Sequence, residues 1–257
     1  MVTKAKSEVA VKDEQAVGFY NGDDVPEYLR GSQGRGSEEV GSKDITLPRL
    51  EIVQAQSPIK DQVEDARDGM LYNSATMDLI GDTAYFVNVF YRMEYLVWKD
   101  SDAGGGFFGS YPTEADANAR RAEVVAGGED PDLIEVTDTP VHFGLLVFPD
   151  GRPSQQIVIS MPKSKSKVSR KWNSMIQIVG GDRFSRVYRI GTFTDKNKQN
   201  KTFKNFTVQP AGFAPEPVYR EAEKLYELFK QQGVKADHES VVIDAEGDAE
   251  TMDRGGI

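Results

Sequence analysis

The stretch with the clearest structural pattern is TAYFVNVFYRMEYLVW, residues 83–98. Its apolar residues alternate with a period of two, which predicts one long β-strand. The face expected to line the core carries Tyr85, Val87, Val89, Tyr91, Met93, Tyr95 and Val97. The opposite face carries Phe86, Asn88, Phe90, Arg92, Glu94, Leu96 and Trp98. Two interpretations of that second face stay open: the strand is buried on both sides at its ends, or its rings form an exposed stacking platform.

Shorter predicted elements surround this strand. Further strands are expected near residues 49–54, 69–76, 140–149, 155–161, 184–193 and 202–209. Helices are expected at 114–126 (after Thr113 and before Gly127), before Gly180, and at 217–232. In the second of these helices, Trp172 lies on the apolar stripe, so we expect it in the core. The glycine-rich residues 99–112, KDSDAGGGFFGSYP, are expected to form a flexible hairpin tip or a loop that embraces nucleic acid.

The order of these elements indicates the fold class. Strands, then a helix, then a final two-stranded hairpin are typical of a small Greek-key barrel of the OB type. We therefore expect a mainly β fold with a few helices (α+β), an OB-like barrel with insertions, over residues 45–235. A plain β-sandwich would show similar patterning. The polar residues 1–44 and the acidic residues 236–257 are expected to be a disordered arm and tail, because they carry little apolar surface to bury.

Positive charge is concentrated in one window of an otherwise acidic protein. The chain carries a net charge of −10, yet residues 163–206 contain twelve lysines and arginines against only Asp182 and Asp195. Six aromatic residues are interleaved with these cations. Cations that contact phosphates and rings that stack on unpaired bases are the requirements of a single-strand nucleic-acid site. A basic segment within an acidic chain indicates a local anionic partner.

These considerations give a set of candidate nucleic-acid-binding residues. The set is Phe86, Phe90, Arg92, Trp98, Lys163, Lys167, Arg170, Arg186, Tyr188, Arg189, Lys196, Lys198, Lys201, Phe203, Lys204 and Phe206. The cations are expected to line a groove along the backbone, and the rings are expected to stack on bases. The alternative is that the basic residues simply solvate one side of an interaction module.

Other classes of site find little support in the sequence. The chain has no cysteine and only two histidines, His142 and His238, for which a structural or solvated role is expected. The triple glycine lacks the GK[ST] ending of a phosphate-binding loop, and no GxSxG motif occurs. We therefore expect no catalytic activity, no cofactor and no metal. No apolar run reaches the roughly 20 residues of a membrane span, and the N-terminal residues 1–15 lack the apolar segment of a signal peptide.

Several strings together resemble a group of tailed-bacteriophage proteins. They are ITLPRLEIVQ (45–54), GMLYNSAT (69–76), YRMEYLVWKD with GGGFFG (91–109), and SKVSRKWNSMI (166–176). Some members of that group are described as single-stranded DNA-binding proteins with an OB-type core and an acidic tail. The resemblance covers roughly residues 45–210. This chain ends in DRGGI, whereas such tails often end in an aromatic residue that docks on partners, so docking by the extreme terminus is in doubt.

The resemblance implies a sequence-tolerant single-stranded DNA-binding protein of phage replication or recombination, in the cytoplasm of the infected bacterium. Expected partners are single-stranded DNA and, through the acidic tail, replication proteins, with no membrane contact. The alternative is a structural protein of the virion, head-associated or decorating, because such proteins are also rich in β-structure and carry polar arms and tails.

Overall fold

A computed structural model describes residues 35–36, 47–100, 103–196, 200–232 and His238. From residue 47 onward these belong to one compact unit, Val40–Ile257. Of the preceding unit, Met1–Glu39, only a turn at residues 35–36 is described. The predicted disorder of residues 1–44 and 236–257 therefore lies outside the described residues, except for those two and His238.

The described chain contains nine strands and four α-helices. The strands are β1 (Leu50–Ile52), β2 (Leu71–Asn73), β3 (Leu79–Gly81), β4 (Ala84–Lys99), β5 (Gly106–Tyr111), β6 (Ile134–Val147), β7 (Gln155–Ser160), β8 (Arg186–Lys196) and β9 (Thr202–Phe213). The helices are α1 (Ile59–Gln62), α2 (Glu114–Ala126), α3 (Ser166–Val179) and α4 (Glu216–Gln232). Short 3-10 turns at Pro131–Leu133, Lys163–Lys165 and Arg183–Ser185 precede β6, α3 and β8.

The strands form two antiparallel sheets. A small sheet has the order β1-β2-β3, and a six-stranded sheet has the order β7-β6-β4-β8-β9, with β5 paired to the far end of β4. This confirms the predicted mainly β fold with a few helices. Strands β7 and β9 end the large sheet and do not pair with each other in the described part of the chain. The sheets are therefore open and do not close into the expected OB-like barrel.

The large sheet separates two apolar layers. Phe86 and Leu146 pack with Trp172 of α3 and with the small sheet, whereas Val87 and Leu145 pack with α4 on the opposite side. Because neighbouring strand residues point to opposite faces, the central strands are covered on both sides. Phe86, Val87, Asn88 and Val89 are all buried. The interpretation of β4 as doubly buried is thus confirmed, and the exposed stacking platform is wrong.

The far half of β4 forms an arm with β5 and β6. Helix α2 packs against it through Ala117 and Val124. This helix has the predicted bounds, and the Oγ1 atom of Thr113 accepts a hydrogen bond from the backbone N–H of Asp116 at 3.2 Å, as a helix cap does. Strand β5 occupies residues that the sequence placed in a loop, so only the start of the glycine-rich stretch forms the hairpin tip.

Candidate nucleic-acid interface

Most of the rings predicted to stack on bases are buried. Between 0% and 7% of their surface is exposed in Phe86, Trp98, Tyr188, Phe203 and Phe206. Phe86 and Tyr188 pack edge-on against Trp172, at centroid distances of 5.7 and 5.4 Å. Trp172 is itself fully buried, which confirms its predicted core position. These five rings cannot offer a face to a base in this conformation, and their assignment as stacking residues is corrected.

Phe90 and Arg92 of β4 are also engaged within the fold. The half-buried Phe90 ring packs against Phe143 and Tyr226, at centroid distances of 6.2 and 6.5 Å. Arg92 Nε donates to Glu94 Oε1 at 2.9 Å, and its guanidinium lies 5.2 Å from the centroid of Phe143. Because the charge of Arg92 is matched by a buried carboxylate, its predicted role as a phosphate ligand is also corrected.

The predicted cations of α3 lie at the surface. Lys167, Arg170 and Lys171 are exposed and follow one another at helical spacing, and we call them the basic stripe. No acidic residue occurs anywhere in Ser166–Val179. Lys163, in the turn before the helix, is instead paired with Glu135 at 3.0 Å.

The β8–β9 hairpin exposes a second group of predicted residues on the face opposite α3. Arg189 is exposed and lies in register between Tyr85 of β4 and Gln209 of β9. Its side chain makes no ion pair or hydrogen bond with any described residue. Phe193, 40% exposed, follows on the same face of β8, about 13 Å further along at strand spacing. We call Tyr85, Arg189, Phe193 and Gln209 the hairpin surface.

A glycine keeps the middle of this surface low. Gly191 lies between Arg189 and Phe193 and pairs with Thr207 across the hairpin. A Cβ atom at this position would lie 3.1 Å from Thr207 Oγ1, which is tighter than ordinary van der Waals contact. Such a Cβ would also lie 3.8 Å from Asp82 O and from Thr83 Cγ2, so Gly191 is buried between the exposed cation and the exposed ring.

The cations near the tip of the hairpin divide into two kinds. Lys196 and Lys201 are exposed, whereas Lys198 lies outside the described residues. Lys204 is half-buried, and its Nζ donates to Thr194 Oγ1 at 3.0 Å. The backbone of Lys204 exchanges two hydrogen bonds with the side-chain amide of Gln54, at 2.7 and 2.8 Å. Lys204 thus joins the hairpin to the loop after β1, a structural role that the sequence did not predict.

Two arginines, Arg183 and Arg186, precede the buried Tyr188 near the start of β8. Arg186 was among the predicted site residues, and its guanidinium lies 4.4 Å from the ring centroid of Phe213. Phe213 is 74% exposed. Arg183 was not predicted, because a single arginine next to an apolar strand carries no signal of its surroundings. Its guanidinium lies 5.3 Å from the ring centroid of Tyr91.

His142 occupies the centre of a buried polar network. The side-chain amide of Asn88 lies 2.9 Å from His142 Nδ1, and Ser169 Oγ lies 2.8 Å from Nε2. His142 and Ser169 are both fully buried, so neither is accessible to a substrate in this conformation. Burial lowers the pKa of His142 well below 6.5, and the charge of Arg183 lowers it further. The network is structural and ties α3 to the sheet, as expected for His142.

His238 is buried against the arm. Its Nε2 lies 2.6 Å from Glu94 Oε2, and Ser110 Oγ donates to the same carboxylate oxygen at 2.8 Å. Burial raises the pKa of Glu94, but the hydrogen bonds and charges of His238 and Arg92 outweigh it and bring the pKa to about 2. Of the two roles expected for His238, the structural one is confirmed and the solvated one is wrong.

The part of the chain that the structure describes contains no cluster of three or more His, Asp or Glu side chains suited to a metal ion. None of its helices is long and apolar enough to cross a membrane.

Comparison with known proteins places the chain in a phage family. A family model described as Pam3 phage gp34-like protein matches residues 13–235, most of the chain. The protein therefore belongs to the Pam3 phage gp34-like family and is a bacteriophage protein. No curated protein and no solved structure matches it.

Proposed function

We propose that this phage protein binds single-stranded DNA through its β8–β9 hairpin, with little preference for sequence, in phage replication or recombination. The role would place it in the cytoplasm of the infected bacterium. We propose no catalytic step, because the serine–histidine pair of the described residues, Ser169 with His142, is fully buried.

One observation carries this proposal. The two exposed phenylalanines of the described chain, Phe193 and Phe213, both lie on this hairpin. Each shares a face of the sheet with an arginine that has no acidic partner among the described residues: Arg189 for Phe193, and Arg186 for Phe213. Rings that stack on bases beside cations that contact phosphates are the two parts of a sequence-tolerant single-strand site.

The position of the hairpin adds support. Strand β9 is at the edge of the large sheet, and its last five residues, 209–213, are exposed. Arg170 and Lys171 of the basic stripe are exposed and supply further positive charge. Phosphate contacts of this kind supply affinity for any sequence.

The experiment that tests the proposal compares binding of labelled oligo-dT and of duplex DNA at two salt concentrations. We expect tighter binding to oligo-dT, because paired bases cannot reach the rings, and a steep loss of affinity at the higher salt. The double variant Arg189→Ala with Phe193→Ala should lose most of this affinity. Its matched control is Lys224→Ala with Leu228→Ala, which removes an exposed cation and an exposed apolar side chain from α4.

Equal or tighter binding to duplex would contradict the single-strand function. The structural alternative gives a distinct result: the protein would show no affinity for oligo-dT and would copurify with intact virions. If the hairpin variant and the α4 control lose the same amount of affinity for oligo-dT, the binding surface is not on the hairpin.

A further inference from the structure

The start of β8 holds two positive charges for which the described chain supplies no negative partner. Arg183 Nη2 donates to the neutral Asn173 Oδ1 at 2.9 Å, and Arg186 makes only its contact with the Phe213 ring. The carboxylate nearest in sequence, Asp182, accepts a hydrogen bond from the Tyr219 hydroxyl at 2.6 Å. Both arginines are partly buried, and burial lowers the pKa of Arg183.

Several hydrogen-bond donors in this region are left without acceptors. Arg183 Nη1, Arg186 Nε and Trp172 Nε1 are buried atoms with no hydrogen-bond partner. The Tyr188 hydroxyl, which is not one of these buried atoms, also makes no hydrogen bond with any described residue. Buried donors are almost always satisfied, and a buried charge without a partner is strongly unfavourable. Several such groups in one place indicate that an acceptor is missing.

Both arginines lie near Tyr188 in the fold. Arg186 is two residues before it on β8, and Arg183 donates to Asn173, the neighbour of Trp172 on α3. Burial raises the pKa of the Tyr188 hydroxyl, while the charges of Arg186 and Arg183 both act to lower it. The Trp172 ring packs against Tyr188 at 5.4 Å, so the unpaired donors belong to one contiguous group of side chains.

We infer that Arg183, Arg186 and Tyr188 form a binding site for a phosphate group. Guanidinium groups form paired hydrogen bonds with phosphate oxygens, and their planar donors match that geometry. Two guanidiniums and a hydroxyl together offer more donors than the two oxygens of a carboxylate can accept. A tetrahedral phosphate has enough oxygens for all of them, and its negative charge matches the two unpaired cations.

This site shares Arg186 with the Phe213 end of the hairpin, but it contains none of the residues of the hairpin surface. Arg186 and Tyr188 alternate with Arg189 along β8, so they lie on the face that packs toward α3. The site would bind phosphate even if the hairpin surface bound no DNA. The phosphate can belong to a free anion, to a mononucleotide, or to the 5′ end of a DNA strand, and the chemistry of recognition is the same for each.

The test titrates the full chain with inorganic phosphate and with dTMP, followed by calorimetry and by thermal unfolding. We expect saturable binding and a rise in Tm that levels off with concentration. Arg186→Gln should weaken binding about tenfold or more, because each charge-assisted hydrogen bond is worth about that factor. Tyr188→Phe, which removes only the hydroxyl, should weaken binding to a smaller degree.

The control is Lys224→Gln, the same change in charge on the exposed side of α4, outside both proposed binding surfaces. It also corrects for the general stabilisation that phosphate gives to folded proteins at high concentration. Arg186→Gln and Tyr188→Phe keep the test decisive if Arg183→Gln fails to fold. A phosphate response equal in wild type, Arg186→Gln and Lys224→Gln would overturn the site, as would the absence of any saturable response in wild type.

A second arm identifies the source of the phosphate. Oligo-dT with a 5′-phosphate is compared with the same oligo bearing a 5′-hydroxyl. Tighter binding of the phosphorylated strand, lost in Arg186→Gln and kept in Lys224→Gln, assigns the site to a DNA end. Equal binding of the two strands, together with saturable binding of inorganic phosphate or dTMP, assigns it to a free anion or nucleotide.

Discussion

Strand β4 and the β8–β9 hairpin are both rich in rings and cations, yet they use them in opposite ways. In β4 the rings are packed inside the fold: Phe86 is fully buried and Phe90 lies between two other aromatic residues. In the hairpin, Phe193 and Phe213 are exposed, Phe193 on the same face as Arg189 and Phe213 in contact with Arg186, and neither arginine has an acidic partner in the described chain. Composition is similar in the two regions, whereas solvent exposure is not.

The difference follows from position in the sheet. β4 has β6 on one side and β8 on the other, with α3 and α4 covering its two faces. β9 is an edge strand, and its last five residues, 209–213, are exposed. A ring in a central strand therefore stabilises the core, and a ring on the edge hairpin is available to a ligand. Each of the predictions below tests one side of this distinction.

The largest expected effect is on stability and concerns β4. Phe86→Ala should lower the free energy of unfolding by about 3–5 kcal/mol, the range for a buried phenylalanine that leaves a cavity. Phe193→Ala should change it by less than about 0.5 kcal/mol, as surface substitutions usually do. Denaturant unfolding of the two variants measures both values. A comparable loss in Phe193→Ala would show that the hairpin ring is part of the core.

Phe193→Ala, which should hardly change stability, should have a clear effect on binding. Phe193→Ala should weaken oligo-dT binding by about 1–3 kcal/mol, the usual range for one stacked base, with an unchanged salt dependence. Leu228→Ala, at an exposed apolar residue of α4, is the matched control and should leave affinity unchanged. Fluorescence titration at fixed salt provides the measurement. If both variants bind like wild type, the exposed ring of β8 does not stack on bases.

The buried His142 should make stability depend on pH. Its folded pKa is lowered, so below pH 6.5 the unfolded chain takes up a proton that the folded chain does not. The contribution of His142 to the free energy of unfolding is therefore fully present above pH 6.5. It decreases as the pH falls, by at most about 1.4 kcal/mol per pH unit. His142→Gln should flatten the dependence of the free energy of unfolding on pH between about pH 7 and pH 5. Glu94, with its pKa near 2, takes up its proton only below this range.

Unfolding by urea at several pH values gives this slope directly. The variant should be less stable than wild type at neutral pH, since it disturbs the network with Asn88 and Ser169. Its slope, not its absolute stability, is the informative quantity. A slope as steep as that of wild type would assign the acid sensitivity to another group.

The sequence predicted local elements well where the local signal was complete. Helix α2 has the predicted bounds because a capping threonine and a terminal glycine specify both of its ends. The long strand β4 was also correct, because its alternation spans sixteen residues. β5 was missed because its glycines mimic a loop, and its pairing with β4 depends on contacts that no local pattern reports.

The candidate site was less predictable for the same reason. Alternation shows that a strand has two faces, but it does not show what covers them. Phe203 and Phe206 therefore resembled Phe193 in the sequence, although the first two are buried and the third is not. The neighbours of Arg183 are the neutral residues Asn173, Tyr91 and Tyr188, which come from three different elements. The sequence alone does not show that these residues surround the arginine.

The salt dependence of binding is expected to change by a modest amount with each cation. Removing one phosphate contact should reduce the slope of log affinity against log salt by about 0.7 on a single strand. Arg189→Ala and Lys196→Ala should each show this reduction, because both side chains are exposed on β8. Lys224→Ala on α4 should not. If the slope of log affinity against log salt equals that of wild type in both hairpin variants, these two side chains do not contact phosphates.

The smallest expected effect concerns the acidic C-terminal segment, which contains seven acidic residues from Asp237 to Asp253. We expect it to compete with DNA for the basic surface, most strongly at low ionic strength, where charges are least screened. Deleting residues 237–257 would also remove His238 and its contact with Glu94, so stability would fall for a separate reason. Deleting only 239–257 keeps that contact and should tighten oligo-dT binding at low salt with an unchanged Tm. Weaker binding by this shorter truncation, or a Tm several degrees lower, would show that the segment belongs to the fold or to the site and does not compete with DNA.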